Sequence, residues 1–458
     1  MSSYDPHRAP ASFLSFAAAR RGFEAGTDDP RRFLERCLER IDAVEADVLA
    51  FVSLDLDAAR SAADASADRW RERRALSTID GLPFGVKDCF DVAGLPTRIN
   101  SPLFDDAPPA LGDAAHVDAL RTGGGILLGK TTTTEWTMAL PAPTWNPWDF
   151  SRTPGGSSSG SAAAVAAGML PLATGSQVRG SGIRPASICG VPALKPTFGA
   201  LNRHGGLDPS PSLNHLVLIG ATIDDIWDAA QRIATDVGGD PGHPALAIAP
   251  LPEPRRPHRL ARQYTAGWEK TNVDSQAAFE SWLGRMSAAG VEIVDPSATP
   301  ELAAYEEATA RVIEWFFDLF REILWPLRGL RAAHPDKFSH IMHRHIDRAE
   351  ALPPEAYAAA LAARERLRAL HRGLTGTIDG FVTLAHIGPG QVGRPEIGTP
   401  WYNDASSAIG APTMNLPLLA IDGLPLGVQL MGFEHRDTEM VGFGRWLTQQ
   451  TLSNGHEG

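Results

Sequence analysis

The sequence lacks several features that mark specialised classes of protein. It has only three cysteines in 458 residues, Cys37, Cys89 and Cys189, an odd number at wide spacing. This predicts neither a disulfide framework nor a CxxC metal site. No segment approaches the roughly 18 consecutive apolar residues of a membrane span, and the first residues lack a basic stretch followed by an apolar run. We therefore expect a protein of the reducing cytoplasm that does not bind membranes.

The sequence also has fewer basic than acidic residues. Lys and Arg together number 42 against 54 Asp and Glu, which gives a formal net charge of -12. Such a surface repels a phosphate backbone and an anionic membrane, so nucleic acid is excluded as an expected partner. The 43% of hydrophobic residues are enough for the core of one large domain or of two to three ordinary ones.

The order of apolar and polar residues predicts a layered α/β fold. Residues 30–75 carry apolar side chains at helical spacing, which predicts a helical N-terminal layer. From Gly81 short apolar runs are broken by Gly and Pro, as in buried strands that alternate with helices. Residues 300–375 are again helical in pattern, and residues 380–445 return to short apolar runs. Because strand-like segments lie on both sides of the helical block, we expect the two halves to share one sheet.

The most distinctive segment covers residues 154–199. It opens with a Gly-Ser turn that runs directly into an Ala-rich stretch, which predicts a helix from about Ser161 to Gly168. A flexible linker would not be followed at once by AAAVAAGMLPLA. Further along, SQVRGSG places Ser181 between two glycines, where the backbone can approach a substrate and several N–H groups can point one way. This arrangement predicts an oxyanion hole.

The same segment resembles the signature of the amidase-signature family, in which GGSSSGSAAAVAAG is followed by a GGSIRxPA-like turn and by CGxxGxKPTxG. The stretch GLPFGVKD at 81–88 resembles the family's strand that carries the catalytic lysine, and GLPLGVQLMG at 423–432 resembles its closing strand. The resemblance covers nearly the whole chain and implies an α/β fold, a central mixed β-sheet covered by α-helices on both faces. The expected division is an N-terminal helical layer of the same domain at 1–75, the signature core at 76–236, a connection and helical substrate-pocket region at 237–380, and the C-terminal part of the core sheet at 381–458.

The resemblance also implies roles for particular residues. The family's nucleophile falls on Ser181, and its catalytic lysine falls on Lys87. The family's relay serine, which follows a cis peptide bond, falls on Ser157. The backbone N–H groups of the turn are the expected oxyanion hole, which comprises Val178, Arg179, Gly180 and Ser181. Neither a cofactor nor a metal is implied.

The chemistry of such a site can be argued from the residues. An amide carbonyl is a poor electrophile, so the attacking hydroxyl of Ser181 must lose its proton to a nearby base. Lys87 is a poor base while charged, but its neighbours Leu82, Phe84, Val86 and Phe90 predict burial, which lowers the pKa of a lysine. A neutral Lys87 could then accept the proton of Ser157, which accepts that of Ser181. This predicts hydrolysis of an amide C–N bond, and the same site suits a carbamate or an ester.

Three positions depart from the family pattern. Arg179 stands where the family has a small residue, Gln177 replaces the usual Asp, and Arg184 is displaced by one position. Backbone N–H groups form an oxyanion hole, so an arginine in the turn is compatible with it. We expect the backbone of Arg179 to join the hole and its side chain to face the substrate, where it can donate to a carbonyl or carboxylate.

Other candidates for substrate contact are aromatic or apolar. Some lie on loops whose family counterparts approach the site, and others lie in the helical region that tends to line the family's pocket. Core packing is the alternative, since Phe316, Phe320 and Ile323 share one helical face. Besides Arg179, the candidates for substrate contact are Trp136, Met138, Trp315, Phe317 and Trp401.

Two rival hypotheses remain open. His340, His343 and His345 form an HxxHxH cluster, and histidine is the commonest ligand of transition metals, so a metallohydrolase is one alternative. However, no acidic residue is spaced as in HExxH. The other alternative is a degenerate scaffold component of an amidotransferase-like complex, against which the intact catalytic positions argue. The preferred expectation is a stand-alone amidase, a monomer or homodimer, whose partner is a small-molecule amide or carbamate.

Overall fold

The computed structural model describes residues 3–7, 13–138 and 140–453. Its strands are β1 (Phe51–Leu54), β2 (Pro83–Lys87), β3 (Ile126–Thr131), β4 (Leu172–Gln177), β5 (Ala193–Lys195), β6 (His215–Gly220), β7 (Arg259–Arg262), β8 (Glu292–Val294), β9 (Gly380–Leu384), β10 (Thr413–Ile421) and β11 (Leu424–Met431). Its α-helices are α1 (Phe16–Ala25), α2 (Pro30–Val48), α3 (Leu56–Arg71), α4 (Ala115–Thr122), α5 (Ser159–Ala166), α6 (Ile183–Cys189), α7 (Ile223–Val237), α8 (Val273–Ala288), α9 (Pro300–Ala310), α10 (Val312–Phe316), α11 (Leu324–Ala333), α12 (His340–Ala351), α13 (Pro354–Gly373), α14 (Asp404–Ile409) and α15 (Asp437–Ser453).

The eleven strands form one mixed sheet in the order β1-β3-β2-β4-β6-β5-β10-β11-β9-β7-β8. Strand β2 runs parallel to β3 and β4, whereas β4 runs antiparallel to β6 and β10 runs antiparallel to β5 and β11. Strands from both sides of the central helical block therefore belong to the same sheet. The predicted α/β fold with a mixed central sheet is confirmed.

Both faces of the sheet are buried. In strand β6, Leu218 packs into one hydrophobic cluster, whereas its neighbours Val217 and Ile219 pack into another. In β5, Leu194 and Ala193 divide between the same two clusters. Successive side chains of a strand point to opposite faces, so each face carries its own core beneath a layer of helices. This explains why these strands are almost uniformly apolar in sequence.

The N-terminal layer follows the predicted helical spacing with one correction. Helices α2 and α3 occupy most of residues 30–75, and Asp29 caps α2 by accepting a hydrogen bond from the N–H of Arg32. Between them lies strand β1, which the helical pattern did not predict. It has only four residues and pairs antiparallel with β3, so its identity depends on a tertiary partner rather than on local periodicity.

The sheet also brings distant parts of the signature segment together. The Ala-rich stretch forms α5 at Ser159–Ala166, close to the predicted bounds. Strands β2 and β4 are parallel neighbours, so their carboxyl ends meet at the same edge of the sheet. Lys87 ends β2, and Gln177 ends β4 just before the turn at 178–182 that leads into α6. Within the described ranges, none of the helices is long and apolar enough to span a bilayer.

Candidate active site

Lys87 is fully buried at the end of the central strand β2. Its Nζ donates to the hydroxyl oxygens of Ser157 and Ser176, both at 2.8 Å. The neighbouring Asp88 forms an ion pair with Lys130, with 2.9 Å between Oδ1 and Nζ. No carboxylate of the described residues lies within 4.0 Å of Lys87 Nζ. Burial is the main reason that the pKa of Lys87 is lowered to about 8, and the positive charge of Arg184 contributes to this lowering. Lys87 therefore has a sizeable neutral fraction near neutral pH.

Ser157 is held by contacts to its backbone. The peptide bond that precedes it is cis, as the family resemblance implied, and the carbonyl oxygen of that bond accepts from Nε of Arg184 at 3.0 Å. The carbonyl oxygen of Ser157 itself accepts from the hydroxyl of Thr133 at 3.1 Å. The next N–H, that of Ser158, donates to the carbonyl oxygen of Ser181 at 3.0 Å. The relay serine and the expected nucleophile thus lie on adjoining backbone segments.

The turn that carries Ser181 presents several free N–H groups. In the described part of the chain, the N–H groups of residues 178–181 donate to no protein acceptor. The next two, those of Gly182 and Ile183, both donate to Oε1 of Gln177 at 2.9 Å. Gln177 therefore fixes the turn while leaving the preceding four amides available for a developing negative charge. The role of these N–H groups as an oxyanion hole stays a prediction, and it is favoured because they are free to donate to a substrate oxygen.

Arg179 has a partner that the sequence analysis did not predict. Its Nε and Nη2 donate to the two carboxylate oxygens of Asp404 at 2.7 and 2.6 Å. Its guanidinium also lies over the ring of Phe317, with the guanidinium carbon 4.5 Å from the ring centroid. The third nitrogen, Nη1, has no acceptor among the described residues. The predicted contact between Arg179 and the substrate therefore stays a prediction, and Nη1 is the nitrogen that could make it.

Comparison with known proteins identifies the family. The sequence matches the family described as Amidase over residues 32–441. The chain belongs to the amidase-signature family. A glutamyl-tRNA(Gln) amidotransferase subunit from Chloroflexus aggregans (strain MD-66 / DSM 9485) is 38% identical over 247 residues, 53% of this chain and 50% of that protein. AtzE of Pseudomonas sp. (strain ADP), a component of 1-carboxybiuret hydrolase, is 37% identical over 235 residues, 50% of this chain and 51% of that protein.

These two alignments span about half of the length of each curated relative. A structural match extends over the whole fold. The native peptide amidase from Stenotrophomonas maltophilia superposes with a TM-score of 0.80 at 25% sequence identity, covering 97% of this chain and 98% of that one. The chain is thus similar in architecture to an amide hydrolase of the same family.

The other predicted substrate contacts are dispersed among several packing environments. Trp136 is buried and stacks on Phe338 at 5.5 Å between ring centroids, so it serves as core packing in this structure. Trp315 is half-buried, Met138 packs against the edge of the main hydrophobic cluster, and Trp401 lies half-buried just before α14. Of the predicted aromatic and apolar substrate contacts, Phe317 is the one whose ring lies under the Arg179 guanidinium. Contact of any of them with substrate stays a prediction.

A cavity of about 650 Å³ lies near Ser157, a member of the expected relay. Its lining includes Asp88, Thr133, Glu135 and Phe338. Thr133 connects it to the relay, because the same residue donates to the carbonyl oxygen of Ser157. Ser181 is not among the described residues that line it. Lys87 and Ser157 are not among them either, so Thr133 lies between the cavity and Ser157.

The histidine cluster lies on helix α12, in agreement with the predicted helix, and the charge of Arg179 is one of those that act on His345. Nε2 of His343 is 3.0 Å from the carbonyl oxygen of Pro335, and the pKa of His345 is lowered by burial and by nearby arginines. Within the described ranges, no group of three or more His, Cys, Asp or Glu side chains comes together as a metal site would require. The catalytic role of the serines and Lys87 stays a prediction.

Several residues of the site were missed by the sequence analysis. Ser176 shares the Lys87 ammonium, and its position at the end of β4, beside the end of β2, could have indicated it. Asn403, Asp404 and Ser407 contact the turn at 177–181 from the other end of the sequence. The segment between Trp401 and Gly410 matches none of the family motifs, so the sequence provided no reason to expect these contacts.

The lowered pKa of Lys87 predicts a pH dependence. For a reaction in which Lys87 must accept a proton, kcat/KM rises with pH as the neutral form accumulates, with one controlling ionisation near 8. Above that pH the rate should level off. The measurement is a kcat/KM profile from pH 6 to 10 in buffers of constant ionic strength. A rate that keeps rising toward the ordinary lysine pKa of about 10.4 would show that Lys87 is not the controlling group.

Proposed function

We propose that the chain hydrolyses an amide C–N bond through an acyl-enzyme on Ser181. The observation that carries this proposal is the buried Lys87 ammonium in direct hydrogen-bond contact with Ser157, with no carboxylate beside it among the described residues. A lysine in such a setting loses its proton readily and can act as a base. Membership of the amidase-signature family and the match to a peptide amidase support the same reaction class.

The proposed mechanism moves one proton along the relay. Neutral Lys87 accepts a proton from Ser157 while Ser157 accepts one from Ser181, whose oxygen attacks the substrate carbonyl. The negative charge that forms on the carbonyl oxygen is stabilised by the N–H groups of residues 178–181. Collapse of the tetrahedral intermediate breaks the C–N bond, and the proton returns through Ser157 to the leaving amine. Water then repeats the sequence on the ester and releases the acid.

The proposed substrate is a small-molecule amide. The names of two similar proteins, a hydrolase of 1-carboxybiuret and a peptide amidase, both describe action on C–N bonds next to a carbonyl. A carbamate or ester carbonyl requires the same nucleophile and the same stabilisation, so we include urethane and ester cleavage as side activities. Arg179 and Phe317 form the wall beside the turn that we expect to contact the substrate, with Trp136, Met138, Trp315 and Trp401 as further candidates.

Substitution of the relay should abolish hydrolysis. Ser181→Ala and Lys87→Ala should each lower kcat by about 10⁴-fold or more, because the nucleophile or its base is lost. Ser157→Ala should retain more activity, because a water can bridge the relay. The double variant Ser181→Ala/Lys87→Ala should be no slower than Ser181→Ala alone, since residues that act as a unit are not additive. The measurement is steady-state release of amine or ammonia by the purified variants.

A matched control is available in the same segment. Ser161 is also a buried serine, hydrogen-bonded to the hydroxyl of Thr131 at 2.8 Å and to the carbonyl oxygen of Thr174 at 2.9 Å, and within the described residues it makes no hydrogen bond to Lys87. Ser161→Ala should keep kcat within a few-fold of the wild type. Activity of Ser181→Ala that matches the wild type would refute the proposed nucleophile.

Chelation separates the serine mechanism from the metallohydrolase alternative. EDTA dialysis should leave kcat unchanged, because no step of the proposed relay uses a metal. The same preparation should be assayed after addition of Zn²⁺. Loss of activity with EDTA that Zn²⁺ restores, and that also follows His340→Ala or His343→Ala, would favour the histidine cluster instead.

A further inference from the structure

The turn that carries the free N–H groups is held by one short element from the far end of the chain, helix α14 with the residue before it. Arg179 lies inside the turn, and Asp404 begins α14. Their side chains meet as a bidentate ion pair at 2.6 to 2.7 Å, and only 16% and 4% of the two side chains are exposed. A bidentate arginine–carboxylate pair fixes orientation as well as distance. Removal of water strengthens the attraction, so the pair resists displacement of the turn.

Ser407, one helical turn further along α14, holds the backbone of the same residue. Its hydroxyl donates to the carbonyl oxygen of Arg179, and its oxygen accepts from Nε2 of Gln177 at 3.0 Å. Gln177 in turn accepts from the N–H groups of Gly182 and Ile183. The helix therefore fixes the peptide plane that contains the carbonyl of Arg179 and the N–H of the next residue. That N–H is one of the four without a protein acceptor.

Asn403, which precedes α14, packs against the centre of the turn. A β-carbon placed on Gly180 would lie 2.4 Å from Oδ1 of Asn403, so only glycine permits this approach. The amide of Asn403 is itself fixed, because Nδ2 donates to Oε1 of Gln429 at 2.9 Å and to the carbonyl oxygen of Ala385 at 3.2 Å. A buried, anchored side chain thus limits movement of the turn at Gly180.

We propose that Asp404 is a positioning residue for the turn, acting through Arg179 to aim the N–H groups that stabilise the transition state, with Ser407 and Asn403 as its supports. This inference rests on the proposed function of the same site. In this proposal the side chain of Arg179 links the turn to Asp404 of α14. A small residue at this position could not form that ion pair. It also concerns the backbone, so its effect extends to substrates that Arg179 cannot contact.

The test uses substrates with no acceptor besides the scissile carbonyl, such as propionamide and benzamide. Asp404→Asn keeps the size of the side chain but removes the charge that holds Arg179. We expect kcat for both amides to fall about 10- to 100-fold with KM within threefold, because hydrogen bonds made in the transition state are misaligned. The ionisation near pH 8 in kcat/KM should be unchanged, because Lys87 and Ser157 are untouched. Asp404→Asn/Arg179→Ala should be no slower than the slower of the two single variants.

A matched ion pair provides the control for stability. Arg203 and Asp240 form a contact of 2.7 Å with side-chain exposures of 14% and 9%, and the hydrogen bonds of Arg203 within the described residues go to Asp240, Asp208 and Pro211 rather than to the turn. Asp240→Asn should lower the melting temperature about as much as Asp404→Asn but leave kcat within twofold of the wild type. If Asp404→Asn does not fold, Ser407→Ala carries the same test, with a smaller expected loss of kcat at constant KM.

The outcomes separate this inference from the proposed function. Wild-type hydrolysis of both amides with an unchanged kcat in Asp404→Asn would overturn the positioning role and leave the proposed function intact. A loss seen only with substrates that carry a carboxylate or second carbonyl would also overturn it, since Arg179 would then act on the substrate. Failure of the wild type to hydrolyse any amide, with or without the substitutions, would count against the proposed function itself.

Discussion

The arrangement of the site depends on a lysine that is buried without an opposite charge. Lys87 lies at the end of a strand whose neighbours on both sides are also buried, so water cannot solvate its ammonium. The carboxylate of the adjacent residue, Asp88, forms an ion pair with Lys130. Had Asp88 instead contacted Lys87, the ion pair would raise the pKa of the lysine and remove the base. In the proposed mechanism, Lys87 can accept a proton because the sheet buries it without a carboxylate partner.

The remaining parts of the site are placed around this lysine by two kinds of contact. Parallel pairing of β2 and β4 brings Lys87 beside Ser176 and near the turn of Ser181, and the backbone bonds of Ser157 place the relay between them. The turn itself is held by α14, whose contacts reach across 225 residues of sequence from Asp404 to Arg179. In the proposed mechanism, the first set of contacts places the groups that transfer the proton, and the second places the N–H groups that stabilise negative charge.

The sequence predicted the local features well, but few of the long-range contacts. Burial of Lys87 followed from its apolar neighbours, and α5 followed from an Ala-rich run after a Gly-Ser turn. The single sheet was predicted from the short apolar runs that lie on both sides of the helical block. Strand β1 and the contacts of Asp404 were not predicted, because a four-residue strand and an isolated carboxylate have no periodic pattern. Their roles exist only once distant segments are packed together.

The protonation state of Lys87 is the central claim, and it can be observed directly. The chain contains five lysines, so ¹⁵N NMR of the side-chain nitrogens in lysine-labelled protein gives few resonances. The Lys87 signal is assigned by its loss in Lys87→Arg, which also separates it from buried Lys195. We expect the Lys87 Nζ resonance to titrate with a pKa near 8. A Lys87 resonance that stays protonated up to the ordinary lysine pKa of about 10.4 would contradict the proposed relay.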